Sequence, residues 1–157
     1  MVDLANYKEK LIEKGIRCTE QRLAILKVLL EERKPLSVRD IFNDLKKKKQ
    51  EIRLSTIYRN LNRFVNKGLV KKMELKPNKK EKYFELKDGN HHHHLICVNC
   101  GKIIPVDCPL KLFEKDLSSR TKYRILDHRI KLYGLCPKCQ KRSDFTLKKG
   151  ETESKIF

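Results

Sequence analysis

The chain has 157 residues, with 38 Lys and Arg against 20 Asp and Glu, a net charge of +18 and 39% hydrophobic residues. That length suits one ordinary domain or two small ones, each marginal alone and helped by a metal staple or a partner subunit. No apolar run approaches the roughly 18 to 20 residues of a membrane span and no signal-peptide pattern opens the chain, so the expected setting is the cytoplasm, where six cysteines suggest metal or thiol chemistry before disulfides.

Leu4, Tyr7 and Leu11 recur at helical spacing. Thr19 is placed to cap a second helix with Leu23, Leu26 and Leu30 turned inward. Ser37 opens a third, with Val38, Ile41, Phe42 and Leu45 on one side and Asp40 in its first turn. A fourth helix, "STIYRNLNRFVNKGL", starts at Ser55 or Thr56 and stops at Gly68. Its apolar stripe is Ile57, Leu61, Phe64 and Val65; Arg59, Asn62, Arg63 and Asn66 line the other face. From Lys46 to Lys80 stand thirteen Lys or Arg and two acids, Glu51 and Glu74. "KKKKQE" alone reads equally well as a solvated surface. Joined to these helices, it favours nucleic acid.

Two extended segments follow, "LVKKMEL" and "KYFEL", with Pro77 and Asn78 turning the chain between them. Helices followed by a basic hairpin make a winged helix. The fourth helix offers arginines for guanine edges or phosphates and amides for adenine. The hairpin lysines, Lys79 and Lys80 among them, suit phosphates and add salt-sensitive affinity.

"KDGN" is the natural boundary, giving a winged-helix domain over 1–87, a second domain over 88–147 and a loose tail over 148–157. Beyond the boundary, "HHHHLICV" reads as a strand and "PLKLFEKDL" as a helix with Pro109 at its first position. "RILDHRIKLYGLC" reads as another strand, with Leu126, His128, Ile130 and Leu132 sharing a face. A histidine in an apolar row is ordinarily a packed core residue, and on pattern alone that reading outweighs ligation for His128.

Cys97-x-x-Cys100 and Cys136-x-x-Cys139 supply four thiolates, matching the closed tetrahedral shell of structural zinc. Gly101 and Pro137 favour the tight turns that aim paired sulfurs at one ion. The competing reading, a redox dithiol, normally uses one such pair at the start of a helix. Cys18 and Cys108 read as small buried residues. In a strand, His92 and His94 point to one face and His91 and His93 to the other, giving two candidate metal pairs. Glu85 could add an oxygen to one pair and His128 a nitrogen to the other. Imidazoles suit iron, zinc, copper and nickel, and carboxylates widen the choice towards manganese. A solvated polar loop that takes up metal casually is the open alternative.

Together, "HHHHLICVNCGK", the paired CxxC, "STIYRNLNRF" and "DHRIKLYGLC" resemble the Fur (ferric uptake regulator) family of bacterial metal-dependent repressors, from about Gly15 to Cys139. The resemblance implies an α+β chain with an N-terminal winged-helix DNA-binding domain and a small α/β dimerisation domain carrying a four-cysteine zinc. It further implies a homodimer that grips double-stranded operator DNA when a sensory divalent metal is bound. Iron(II) is the first expectation for that metal, with zinc, manganese and peroxide-responsive subtypes as alternatives. By position, Tyr58 and Arg59 match the family's base-contacting pair. Ser55, Thr56, Asn62, Arg63, Lys79 and Lys80 complete the expected DNA face. Glu85, His92 and His94 match regulatory ligands, and His91, His93 and His128 match a further site.

The chain also departs from the pattern. Pro35 and Pro105 stand where the family usually has a ligand histidine and a carboxylate, and Lys111 or Leu112 where it has a glutamate. Asp107 and Glu114 are candidate substitutes. These prolines count against the peroxide-sensing branch and keep open a metal-independent DNA-binding protein that retains only structural zinc. An enzyme built on the histidines would need an open metal position and a general base, for which Glu85 is the obvious candidate, and would leave the winged helix without a use. Neither a catalytic residue nor a small-molecule substrate beyond metal ions is expected.

Overall fold

The structure, a computed structural model, describes residues 4–76, 80–87 and 91–141. The expected turn residues Pro77 and Asn78, the phosphate candidate Lys79, most of "KDGN" and the tail lie outside that set. The chain forms two compact units, Met1–Asn90 and His91–Phe157. Among the described residues, no helix is long and apolar enough to cross a membrane.

The first unit packs four helices, α1 (Leu4–Glu13), α2 (Glu20–Glu32), α3 (Val38–Lys47) and α4 (Leu54–Asn66), on a small sheet of β1 (Leu36–Ser37), β2 (Val70–Met73) and β3 (Tyr83–Leu86). The strand order is β1-β3-β2, antiparallel throughout, with Leu36 opposite Phe84 and Met73 opposite Tyr83. Tyr7, Leu11, Ile25, Leu26, Ile41, Leu45, Ile57, Leu61, Phe64 and Phe84 are fully or almost fully buried in one core.

Local sequence explains most of these boundaries. Ser37 caps α3 through a reciprocal box: the Asp40 N–H donates to Ser37 Oγ at 3.2 Å, and the Ser37 N–H donates to Asp40 Oδ2 at 2.9 Å. Thr19 occupies the cap position of α2, but its hydroxyl makes no cap hydrogen bond. The inward face of α2 is broader than Leu23, Leu26 and Leu30. Ile25, Val28 and Leu29 are also buried, because α2 meets α1, α3 and β3. Helix α4 starts earlier than Ser55 or Thr56: the Arg53 carbonyl accepts from the N–H groups of Thr56 (2.9 Å) and Ile57 (3.1 Å), while buried Ile52 anchors the entry. Gly68, at φ +70°, turns the chain out of the helix in the left-handed region that glycine tolerates best.

The second unit contains β4 (His92–Cys97), β5 (Ile103–Asp107), α5 (Lys111–Thr121), β6 (Lys131–Gly134) and the short α6 (Pro137–Gln140). Strand β4 lies in the middle of its sheet, antiparallel to β5 and parallel to β6. Two expectations need correction. Pro109 is not the first residue of α5, which begins at Lys111 after a turn at Pro109 and Leu110. The long strand through His128 shortens to Lys131–Gly134, because β4 offers β6 a ladder only from His94 to Cys97. Leu126, 84% exposed, therefore joins no apolar face. Strand β5 escapes periodicity altogether; Pro105 sits inside it and is tolerated because β5 is an edge strand.

Candidate metal centres

The first knuckle lies at the end of β4 and the turn after it, where Gly101 adopts φ +71° and its N–H donates to the Cys97 carbonyl at 2.8 Å. The second lies at the start of α6, with Cys136 at the cap and Pro137 at the first helical position. Parallel pairing of Cys97 with Gly134 brings both knuckles to one end of the sheet. The four sulfurs converge within 4.8 Å of one another, and Cys100 Sγ lies 3.7 Å from Cys136 Sγ. Sulfurs 2.3 Å from a tetrahedral zinc stand about 3.8 Å apart, so the arrangement fits.

The electrostatics point the same way. Burial pushes the Cys97 thiol up, but the N–H groups of Cys136, Cys100 and Asn99 outweigh it and hold the thiol down at about 6. The Cys139 N–H draws Cys136 down as well. Cys139 is pushed up by the neighbouring Cys136 sulfur and by burial. Thiolates crowded in this way can all ionise only around a cation.

Strand β4 divides the histidine run as alternation requires. His92 and His94 share one face, their ring centroids 5.1 Å apart; His91 and His93 share the other, at 4.7 Å. Register places Pro105 across from His94 and Asp107 across from His92, so Asp107 shares the face of the first pair. Glu85 lies in the first unit, on β3 across from Lys71.

On the other face, His128 joins His91 and His93. The three Nε2 atoms stand 3.1, 2.7 and 2.9 Å apart around the triangle. His128 is thus a member of a polar cluster, not a packed residue in an apolar row. Glu114 meets the far nitrogen of His128, Nδ1, so it does not face the cluster's centre. Cys108, read from the sequence as an inert small residue, has its Sγ 3.3 Å from His128 Nε2. The signal that could have found it is the β4–β5 register, which periodicity alone does not give.

Burial, and then the neighbouring His91 and His128, keep the His93 imidazolium disfavoured. Below its ordinary value of about 6.5, the unfolded chain therefore binds more protons than the folded one at this position. Stability should accordingly be lost as pH falls from about 6.5 through the lowered folded value. Thermal melts of the protein without added metal should shift downward over that range, and His93→Gln should reduce the slope. A His93→Gln profile parallel to the parent's would show that another group governs it.

In the first unit, α4 presents Ser55, Tyr58, Arg59 and Arg63 outward, with Thr56 and Asn62 half-buried and Lys80 exposed nearby in sequence to the wing. The Lys72 Nζ lies 5.8 Å from the Tyr58 ring centroid and donates to Asn62 Oδ1 at 3.5 Å, so wing and helix share a basic face. Asn60, unremarked in the sequence, is buried within α4. It accepts from Arg22 Nε at 3.0 Å and donates to the Thr56 carbonyl at 2.9 Å, tying α4 to α2.

Comparison with known proteins agrees with this assembly of features. Residues 13–133 match the family model described as the ferric uptake regulator family. The ferric uptake regulation protein of Synechococcus elongatus is 39% identical over 142 residues, spanning 87% of this chain and 95% of that protein. The peroxide operon regulator of Bacillus subtilis is 34% identical over 143 residues, spanning 90% of this chain and 97% of that protein. The crystal structure of the Vibrio cholerae ferric uptake regulator, 30% identical, covers 83% of this chain and 99% of that one with a TM-score of 0.71. With its helix-and-wing unit, its convergent cysteines and a match over most of its length, the chain belongs to the ferric uptake regulator family of metal-responsive transcriptional regulators.

Proposed function

We propose that this regulator is a cytoplasmic homodimer that represses transcription by gripping operator DNA when a divalent ion, iron(II) foremost, is held by Glu85, His92 and His94. The observation that carries the reading is the segregation of the β4 histidines into two pairs, one on each face of the strand. A zinc in the four cysteines would hold the second unit's fold. The regulatory ion would favour one relative placement of the two units, and in a dimer that placement sets the spacing of the two α4 helices against a DNA turn of about 34 to 36 Å. A preference of a few kcal/mol suffices to change operator occupancy. Dimerisation is supported by the apolar side chains the second unit leaves outside: Leu112 is 83% exposed, Phe113 55% and Tyr123 78%.

Pro105 across from His94 favours a second reading, in which the switch is incomplete and the protein binds DNA without a sensory metal. The two readings separate in one experiment. Protein retaining only its zinc is assayed at fixed salt on a duplex selected from a random pool, before and after adding iron(II), manganese(II) or zinc(II). Restoration by one ion supports the switch and names its metal. Indifference to all three supports the second reading. On the same duplex, Arg59→Ala should cost about 1 to 3 kcal/mol and relax specificity at its base, whereas Lys80→Ala should weaken all sequences alike and lower the salt slope by about one. Uniform loss from Arg59→Ala would move base reading elsewhere on α4.

A further inference from the structure

The cluster of His91, His93 and His128 has no fourth ligand where the family resemblance expects a glutamate: Leu112 points outward and Lys111 is exposed. The sheet supplies a different donor. The ladder ends with His92 opposite Asp107, so His91 and Cys108 are the next residues beyond its last rung, and Cys108 Sγ lies 3.3 Å from His128 Nε2. Cys108 is half-buried, and its Sγ and the three imidazole nitrogens all lie within 4.8 Å of one another. Three Nε2 atoms facing one another cannot all find protons from neutral partners, whereas one shared cation satisfies every lone pair.

We propose that Cys108 is the fourth ligand of a tetrahedral three-histidine, one-cysteine metal site lying wholly within the second unit. Three imidazoles and a thiolate suit a borderline divalent ion of the zinc or cobalt kind and disfavour manganese and magnesium, which prefer oxygen. Glu114, on His128 Nδ1, is a positioning residue: it fixes the tautomer that turns the Nε2 lone pair to the ion. The site opens to solvent through a recess lined by Lys111, Ile125 and Asp127, which gives an ion its entry. The proposal rests on reading these histidines as a metal centre and deepens it by naming the donor that sets metal preference.

Cobalt(II) tests it. Protein carrying Cys18→Ser and retaining zinc in its four cysteines should, on saturation with cobalt, develop a thiolate-to-cobalt absorption band in the near ultraviolet with the intensity of one cobalt–thiolate bond per chain. Glu85, His92 and His94 contain no sulfur and would give no such band. Zinc analysis after titration verifies that the four-cysteine site has not exchanged. Adding Cys108→Ser should abolish the band and weaken cobalt binding by about tenfold or more, whereas Glu114→Gln should keep the band while weakening binding by about 10- to 100-fold. An undiminished band in the Cys108→Ser protein, or none in its parent, overturns the proposal. DNA binding on the same samples separates this from the switch: a Cys108-dependent band with metal-indifferent DNA binding supports the site and removes the regulatory reading.

Discussion

Cys97→Ser is expected to release zinc and unfold the second unit while the first stays folded. A structural zinc contributes on the order of 10 to 16 kcal/mol, as much as the whole stability of a typical domain, roughly 5 to 15 kcal/mol. The second unit has little else to rely on. Its buried apolar side chains among the described residues are Ile96, Ile103 and the ligand cysteines Cys97 and Cys139, and α5 buries none. Among the described residues, the first unit's core runs from Tyr7 to Leu86, with Leu4 packed against it, and should survive. Zinc analysis with hydrogen exchange reads both effects together, through protection lost in β4 to β6 and kept in α1 to α4. Sedimentation should show the proposed homodimer dissociating. A zinc-free Cys97→Ser protein with its second unit still protected would end the structural role assigned to the metal.

Substituting His92 and His94 together with Ala should leave zinc content and melting temperature nearly unchanged and make DNA affinity indifferent to added metal. Coupling between two sites of one protein is typically about 1 to 3 kcal/mol, or about 5- to 150-fold. That whole factor should vanish, with affinity settling at the parent's metal-free value. His93→Ala is the matched control, because it sits between the two on the opposite face and removes a ligand from the other cluster. A metal response that survives the double substitution but falls with His93→Ala would transfer sensing to the Cys108 side of the sheet.

The parts of the fold that the sequence announces are those governed by neighbours in the chain. Ser37 and Asp40 are three residues apart and make their cap whatever else happens. The stripe of Ile57, Leu61 and Phe64 follows from helical pitch, and the alternation of the four histidines follows from strand pleat. What pattern reading misses depends on pairings across the chain. Two residues, Leu36 and Ser37, become a strand only because β3 lies beside them. Cys108 gains chemical meaning only from the β4–β5 ladder, whose last rung sets its neighbour Asp107 opposite His92, and His128 leaves its apparent apolar row because, among the described residues, no strand pairs with that stretch. Asn60 has the same history. A polar residue among apolar ones on α4 acquires its purpose from Arg22, 38 positions away.

The parallel pairing of β4 with β6 has a consequence for the order of folding. A parallel pair cannot form through a tight turn, and closing a loop of 35 residues, the number between Cys100 and Cys136, costs about 3 kcal/mol before any contact is rewarded. Such distant contacts are slow to find. An ion caught by both knuckles closes the loop in advance and sets Cys97 close to Gly134, the last rung of the ladder. The ladder can then zip back towards His94 from an end already joined. Zinc supply would govern how fast this unit folds as well as whether it stays folded.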